Sequence, residues 1–353
     1  MLMANLIKHK IISISDKVFW VNYVNRAVEY DFYHTWYYHS LERDGIPLLY
    51  IYEEGEIYIA FPLVKRSIPE SPLYDLTSVY GYTGPISNVA MQDLDPDFIE
   101  RFKYDFLEFL ENGKNVSVFS RLHPFLQQDQ LMSQFSGVYA NGKVVAINLE
   151  QSLEEQRAAY HRSFRQQIKS LKNKGYVVSE TNNTEDIRVF ADVYKENMKR
   201  IGAADYYLFS EMYFMELLAA DEFESKLVLV YYNNVAVCGA VAVCTTNILQ
   251  VHLLGTRTAH LSASPAKLLV DELSIIARDM GCKYLNLGGG VGFKEDNLFK
   301  WKAGFSSLFL DYYSWRYIVN EPRYNELLEE NNIDAAETVD FFPLYRYKTN
   351  LLD

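Results

Sequence analysis

Residues 226–257, KLVLVYYNNVAVCGAVAVCTTNILQVHLLGTR, constrain this chain more than any other stretch. Apolar, β-branched runs are parted first by Asn233-Asn234 and then by a polar break at Thr245-Thr246-Asn247. A link this short between two strands can only turn the chain back on itself. The stretch is therefore predicted to be a three-stranded antiparallel meander.

Helices surround it. SLEEQRAAYHRSFRQQIKSLKNKG opens on a capping box, Ser152 with Glu155 three residues on, and is expected to run as one helix to Gly175. Further helices are predicted at 184–200 and 210–221. Another is predicted at 264–281, with Ser264 as N-cap, Pro265 in the first helical position and Gly281 at the C-cap. The strand KYLNL then leads into three glycines, Gly288, Gly289 and Gly290. Earlier in the chain, 48–66 reads as a hairpin around Glu-Glu-Gly-Glu. Residues 96–113 carry apolar side chains at helical period and stop at Gly113; 115–124 and 142–150 read as strands.

At 353 residues the chain exceeds one typical core and fits two domains. They are placed at 1–150 and 151–316, with 317–353 a C-terminal segment packing back on the first. A formal charge of −12 disfavours broad nucleic-acid binding, and DNA in particular. Cys238, Cys244 and Cys282 show neither paired nor metal-ligand spacing, and no metal is expected. The opening MLMANLIKHKIIS lacks signal-peptide features, and no apolar run reaches the roughly 18 residues of a membrane span. A soluble, cytoplasmic protein without an integral membrane span is the expectation.

The element order helix, helix, three antiparallel strands, helix, strand is similar to the core of GNAT acyltransferases. Several stretches also resemble the Fem-type peptidyltransferases, which are tandem GNAT-like proteins. They are VYGYTGPIS (79–87), RLHP (121–124), SFRQQIKSLKNKGY (163–176), VYKENMKRIGAADYYLFSEMYF (193–214), HLLGTRTAHLSASPAKLLVDELSIIARDMGCKYLNLGGG (252–290) and LFKWKAGFS (298–306). The resemblance implies an α/β fold of two tandem GNAT-like domains with mixed, largely antiparallel sheets. The first would be degenerate and serve the acceptor, the second the donor. It implies an N-acyltransferase that moves an acyl or aminoacyl group from acyl-CoA or aminoacyl-tRNA to an amine. The acceptor would be a nucleotide- or lipid-linked sugar or a peptidoglycan precursor. The donor is a substrate, so no bound cofactor is implied, and tRNA is a possible partner. The reading left beside it is a non-catalytic ligand-binding protein that kept the fold.

Acyl transfer to an amine needs a held carbonyl and positive charge where the oxyanion develops. Lys302, in Trp301-Lys302-Ala303-Gly304-Phe305, matches a Phe-Lys-x-x-Phe element of the family with Trp in the first place, and Lys300 lies close by. The family carries a Leu-Gly-Gly where Gly288–Gly290 stand. Gly-Gly-Gly-x-Gly fits a phosphate loop poorly, so the stretch reads as a tight turn beside an active site. The glycine-bearing loop that holds the CoA pyrophosphate in ordinary GNAT enzymes is replaced by Arg257-Thr-Ala-His-Leu-Ser-Ala-Ser-Pro-Ala266. Arg257, Ser262, Ser264 and Ala266 are the donor candidates there. Arg162, Arg165, Lys169 and Lys172 share one helix face, and Tyr160, Phe164, Ile168 and Leu171 make the apolar one. Arg165 and Lys169 are therefore added to the donor side, with a solvated surface helix the plain alternative. Alternation along the third strand puts Gln250, His252 and Leu254 on one face, and His252 is the candidate proton acceptor. Arg200, Tyr206 and Tyr207 resemble family positions near the acceptor, and Tyr82 and His123 are candidates from the first domain. No nucleophile constellation is present, so direct attack by the amine is the expected mechanism.

Overall fold

The computed structural model describes residues 9–334 and 339–347. In chain order the first elements are β1 (His9–Ser13), α1 (Lys17–Arg26), α2 (Trp36–Ser40), β2 (Ile46–Glu54), β3 (Ile57–Ser67), β4 (Tyr74–Thr77) and β5 (Ile86–Ser87). Next come α3 (Pro96–Asn112), β6 (Asn115–Arg121), α4 (Gln128–Met132), β7 (Val138–Asn148), α5 (Leu153–Ala159), α6 (Arg162–Asn173), β8 (Val177–Thr181) and α7 (Thr184–Arg200). The remainder are α8 (Glu211–Leu218), β9 (Glu224–Tyr232), β10 (Val235–Thr245), β11 (Ile248–Thr256), α9 (Ala266–Asp279), β12 (Tyr284–Gly288), α10 (Asn297–Ala303), β13 (Leu308–Ile318) and α11 (Glu321–Glu330). The chain forms two compact units, residues 1–141 with 311–353, and residues 142–310.

In the first unit the strand order is β1-β2-β3-β4-β6-β13, with β5 pairing β3. All neighbours are antiparallel except β4 and β6. Strand β2 is buried on both sides because its alternate residues serve two cores. Leu48, Tyr50 and Tyr52 pack with Phe98, Phe102, Phe106 and Leu110 of α3, whose period of roughly four stacks one aromatic stripe. Leu49 and Ile51 pack instead with Trp20, Tyr23 and Val24 of α1. A third cluster joins Tyr324, Leu327 and Leu328 of α11 and Tyr345 to Val116 and Ile68.

In the second unit the order is β7-β12-β11-β10-β9-β8, antiparallel except for β11 and β12. The meander forms as read. Asn233 and Asn234 turn with φ of 51° and 62°, both in the left-handed region that Asn tolerates. Helices α6 and α9 cover one face with Phe164, Ile168, Leu171, Leu269 and Leu273. Helix α7 lies against β10 and β11, with Phe190 beside Gly239. Each unit is thus α/β, with mixed and largely antiparallel strands.

Three local expectations are corrected. The helix opened by the Ser152–Glu155 capping box stops at Ala159 and restarts at Arg162. Tyr160 and His161 are extended there, with ψ of 143° and 136°. Tertiary contacts outweigh helix propensity at this point: the Tyr160 ring is buried edge-on against Phe305, and the His161 N–H donates to the Gly304 carbonyl at 2.8 Å. Ser264 does not cap α9: it takes a left-handed conformation with φ 52°, its hydroxyl turned back to Leu261 O, and Pro265 holds the N-cap position. The helix expected over 210–221 ends at Leu218.

Candidate active site

The second unit opens where two parallel strands part. Strands β11 and β12 are paired only from Ile248–Gln250 to Tyr284–Asn286, yet β11 runs on to Thr256. A bulge in the β10–β11 ladder starts the divergence: Val241 faces Leu253 and Ala242 faces Val251, so His252 is the extra residue. The bulge breaks the simple alternation expected for this strand. Leu254 packs with the core under α9, while buried His252 meets the Tyr213 hydroxyl of α8 at 3.2 Å.

At the end of β12 the backbone is wired by side chains. Asn286 donates through Nδ2 to Gln250 Oε1 at 2.7 Å, and its Oδ1 accepts from the Gly288 N–H at 2.9 Å. Gly288 turns with φ 73°, and a Cβ on Gly290 would stand 2.1 Å from the Lys294 carbonyl. Only glycine fits both requirements. The Gly289 carbonyl accepts a hydrogen bond from Lys302 Nζ at 2.7 Å. Lys302 comes from α10, a helix capped by Asp296, whose Oδ1 accepts from the Phe299 N–H at 2.8 Å. Burial pushes the Lys302 ammonium down to about 8 from an ordinary 10.5, against the upward pull of the Asp296 carboxylate. Lys300, two residues away, is exposed. The glycines therefore form a turn that presents a carbonyl to Lys302.

The remaining candidates of this unit fall into two groups. At the end of β11, Arg257 donates to Ala236 O at 3.0 Å and pairs with Glu196 of α7 at 3.2 Å. Asn197 Oδ1 accepts from both the Thr256 N–H and Arg200 Nη2, so Arg200 and Arg257 are brought to the same strand end. Tyr207 lies in the α7–α8 connection, where its carbonyl accepts from the Tyr194 hydroxyl at 3.0 Å; Tyr206 is exposed. The second group is the start of α9 and the neighbouring face of α6. Gln167 donates to Ala263 O at 2.7 Å, and Lys267 Nζ lies 4.3 Å from the centre of the Phe164 ring. Ser262, Ser264 and Ala266 belong to this segment. Arg165 and Lys169 are exposed on α6, whereas Lys172 is paired with Glu272.

Tyr82 and His123 belong to the first unit, in a buried polar network. His123 Nε2 donates to Asp31 Oδ2 at 2.8 Å, with Nδ1 facing the Phe125 N–H. Gln128 accepts from the His123 N–H through Oε1 and donates through Nε2 to the Thr83 and Pro85 carbonyls. Tyr82 packs edge-on against Tyr33, His123 and Tyr312.

Sequence reasoning missed Gln250, Asn286, Tyr213, Glu196, Asp31 and Gln128, because each acts through a partner distant in sequence. Asp296 was missed as well, although an Asp three residues before Phe299 is an ordinary N-cap signal that could have found it. Among the described residues, no group of His, Cys, Asp and Glu could hold a metal ion, and no helix is long and apolar enough to cross a membrane.

Residues 158–302 match the family described as Acetyltransferase (GNAT) domain. The whole fold is similar to that of FemX, with a TM-score of 0.68 at 12% identity over 90% of this chain and 99% of FemX. It is also similar to the C-terminal domain of a protein assigned as a lysylphosphatidylglycerol synthetase in Agrobacterium fabrum. There the TM-score is 0.56 at 14% identity, over 85% of this chain and 92% of the other. L-PGS from Bacillus licheniformis follows, with a TM-score of 0.51 at 13% identity over 73% of this chain and 81% of that one. No curated protein matches the sequence. Residues 158–302 therefore carry a GNAT acyltransferase domain, and the fold of the chain is FemAB-like.

Proposed function

We propose that the chain acylates an amine of a cell-envelope precursor, by direct attack of that amine on the carbonyl of an acyl-CoA or an aminoacyl-tRNA. The observation that carries this reading is the placement of a half-buried lysine ammonium at the end of β12, beside the point where β11 and β12 part. A carbonyl polarised there would develop an oxyanion against a positive charge in a poorly hydrated site, where such charge is worth most. The amine must lose a proton as it attacks. His252, oriented by Tyr213, stands on the diverging part of β11 and is assigned that proton.

The likeness to a lysylphosphatidylglycerol synthetase supports an aminoacyl donor and an envelope acceptor, and the exposed basic face of α6 supports an anionic ligand. Arg257 is already engaged with Glu196, so Arg165 and Lys169 are the better donor candidates. Within the second unit Arg200 and Tyr207 are assigned to the acceptor, and within the first unit Tyr82 and His123 are its candidates. His123 would serve there indirectly, by fixing the loops around Thr83, since its ring is buried.

A thermal-shift titration with CoA and acetyl-CoA tests the donor. Binding to the folded state alone stabilises by RT ln(1 + [L]/Kd), about 2.7 kcal/mol at 100 times Kd. A saturable rise in Tm identifies an acyl-CoA enzyme. No rise at millimolar CoA, with a rise on adding charged tRNA, identifies the aminoacyl donor. No response to either class removes the proposal.

A further inference from the structure

We propose that Cys244 and Cys282 form a dithiol modification site, which a peroxide converts to an intramolecular disulfide. Cys244 stands near the end of β10, opposite Leu249 of β11 and Glu224 of β9. Cys282 lies between α9 and β12, its N–H donating to Ala277 O at 2.9 Å. Although 38 residues apart in sequence, the two sulfurs are 3.1 Å apart, and neither is in a disulfide. A further approach of about 1 Å brings them to bonding distance. Sequence spacing could not reveal this, because the pairing depends on β10, β11 and β12 lying side by side.

The surroundings suit oxidation. Cys244 is half-buried, so a small oxidant reaches it, whereas Cys282 is covered. One thiol hydrogen-bonds the other; that bond lowers the Cys282 thiol below its ordinary value, with burial and the Glu224 carboxylate opposing. Cys238 is the internal contrast: it is fully buried, faces Thr256 Oγ1 at 3.2 Å, and burial pushes its thiol up to about 12. It should stay reduced.

In the reaction the two S–H bonds and the peroxide O–O bond break, one S–S bond forms, and two waters leave. The peroxide takes the two electrons. The new bond joins the end of β10 to the residues that lead into β12. It therefore tethers the strand carrying Asn286 and the glycine turn, without involving the candidate catalytic groups.

The test treats the purified full chain with hydrogen peroxide, blocks remaining thiols with N-ethylmaleimide under denaturing conditions, and maps peptides without reduction. The expected result is a Cys244–Cys282 linked peptide lacking two hydrogens, an alkylated Cys238, and a Tm that rises on oxidation and falls back with dithiothreitol. Cys238→Ser should keep both effects, and Cys244→Ser should lose both. Three alkylated cysteines after peroxide would overturn the proposal. So would Cys244 carried to a sulfinic acid, or a disulfide between two chains. The wild-type peptide map decides the matter even if a cysteine variant folds poorly.

Discussion

A lysine whose ammonium is drawn out of water is chemically different from one on a surface helix. Lys302 differs from Lys300 in that respect, although the two are neighbours on α10. If it faces the oxyanion, Lys302→Ala should lower kcat/KM by about 10²–10³ while shifting Tm little. Equal turnover in the two proteins would remove the assignment. Activity that needs the ammonium should also fall as pH rises through about 8. Stability moves the other way. The folded value lies below the ordinary 10.5, so between about 8 and 10.5 the unfolded chain holds more protons and stability rises with pH. Denaturant midpoints should show this rise in the wild type and not in Lys302→Met. In the first unit, His123→Ala would leave the buried Asp31 carboxyl without its ring donor, and should cost about 2–4 kcal/mol in urea unfolding. A loss under about 0.5 kcal/mol would mean that the network relaxes around the gap.

At the level of elements, the site depends on where regular structure is interrupted. The break between α5 and α6 lets Phe164 reach the turn after α10, where a Cβ on Gly304 would meet its ring at 2.4 Å. Gly304→Ala should therefore cost about 1–3 kcal/mol through displaced packing, since its φ of −68° is open to any residue. An unchanged Tm would show that the Phe164 ring moves freely. Asp296→Ala should cost α10 about 1 kcal/mol by removing its cap, while Asp296→Asn should keep most of that stability. These interruptions explain why legibility was uneven. The helix over 184–200, the hairpin turn at Asn233-Asn234 and the capping box at Ser152 rest on neighbours in sequence, and all were read correctly. The bulge at His252 and the break at Tyr160 rest on partners far along the chain.

Across the molecule, long-range contacts close each unit. Asp75, fully buried, accepts from Arg66 Nε at 2.8 Å, from the Tyr345 hydroxyl at 3.0 Å and from Arg346. This ties the last described residues to a strand 270 positions earlier. Arg346→Ala should cost about 1.5–3 kcal/mol, the range for a hydrogen bond to a charged group, and urea unfolding would report it. A variant as stable as the wild type would mean that Arg66 and the Tyr345 hydroxyl together satisfy Asp75.

By itself the sequence determined the kinds of element, their order and the candidates for chemistry. Apolar period, capping residues and turn dipeptides act over a few residues, and a resemblance carried in six separate stretches needs only their order. It also pointed to Lys302 and to the glycines before it. Only the tertiary structure decided that Gly289 faces Lys302, that His252 leaves the regular ladder, and that Cys244 meets Cys282. The physical reason is common to all three. Each depends on strand register and on burial between segments distant in sequence, and local preferences contain neither.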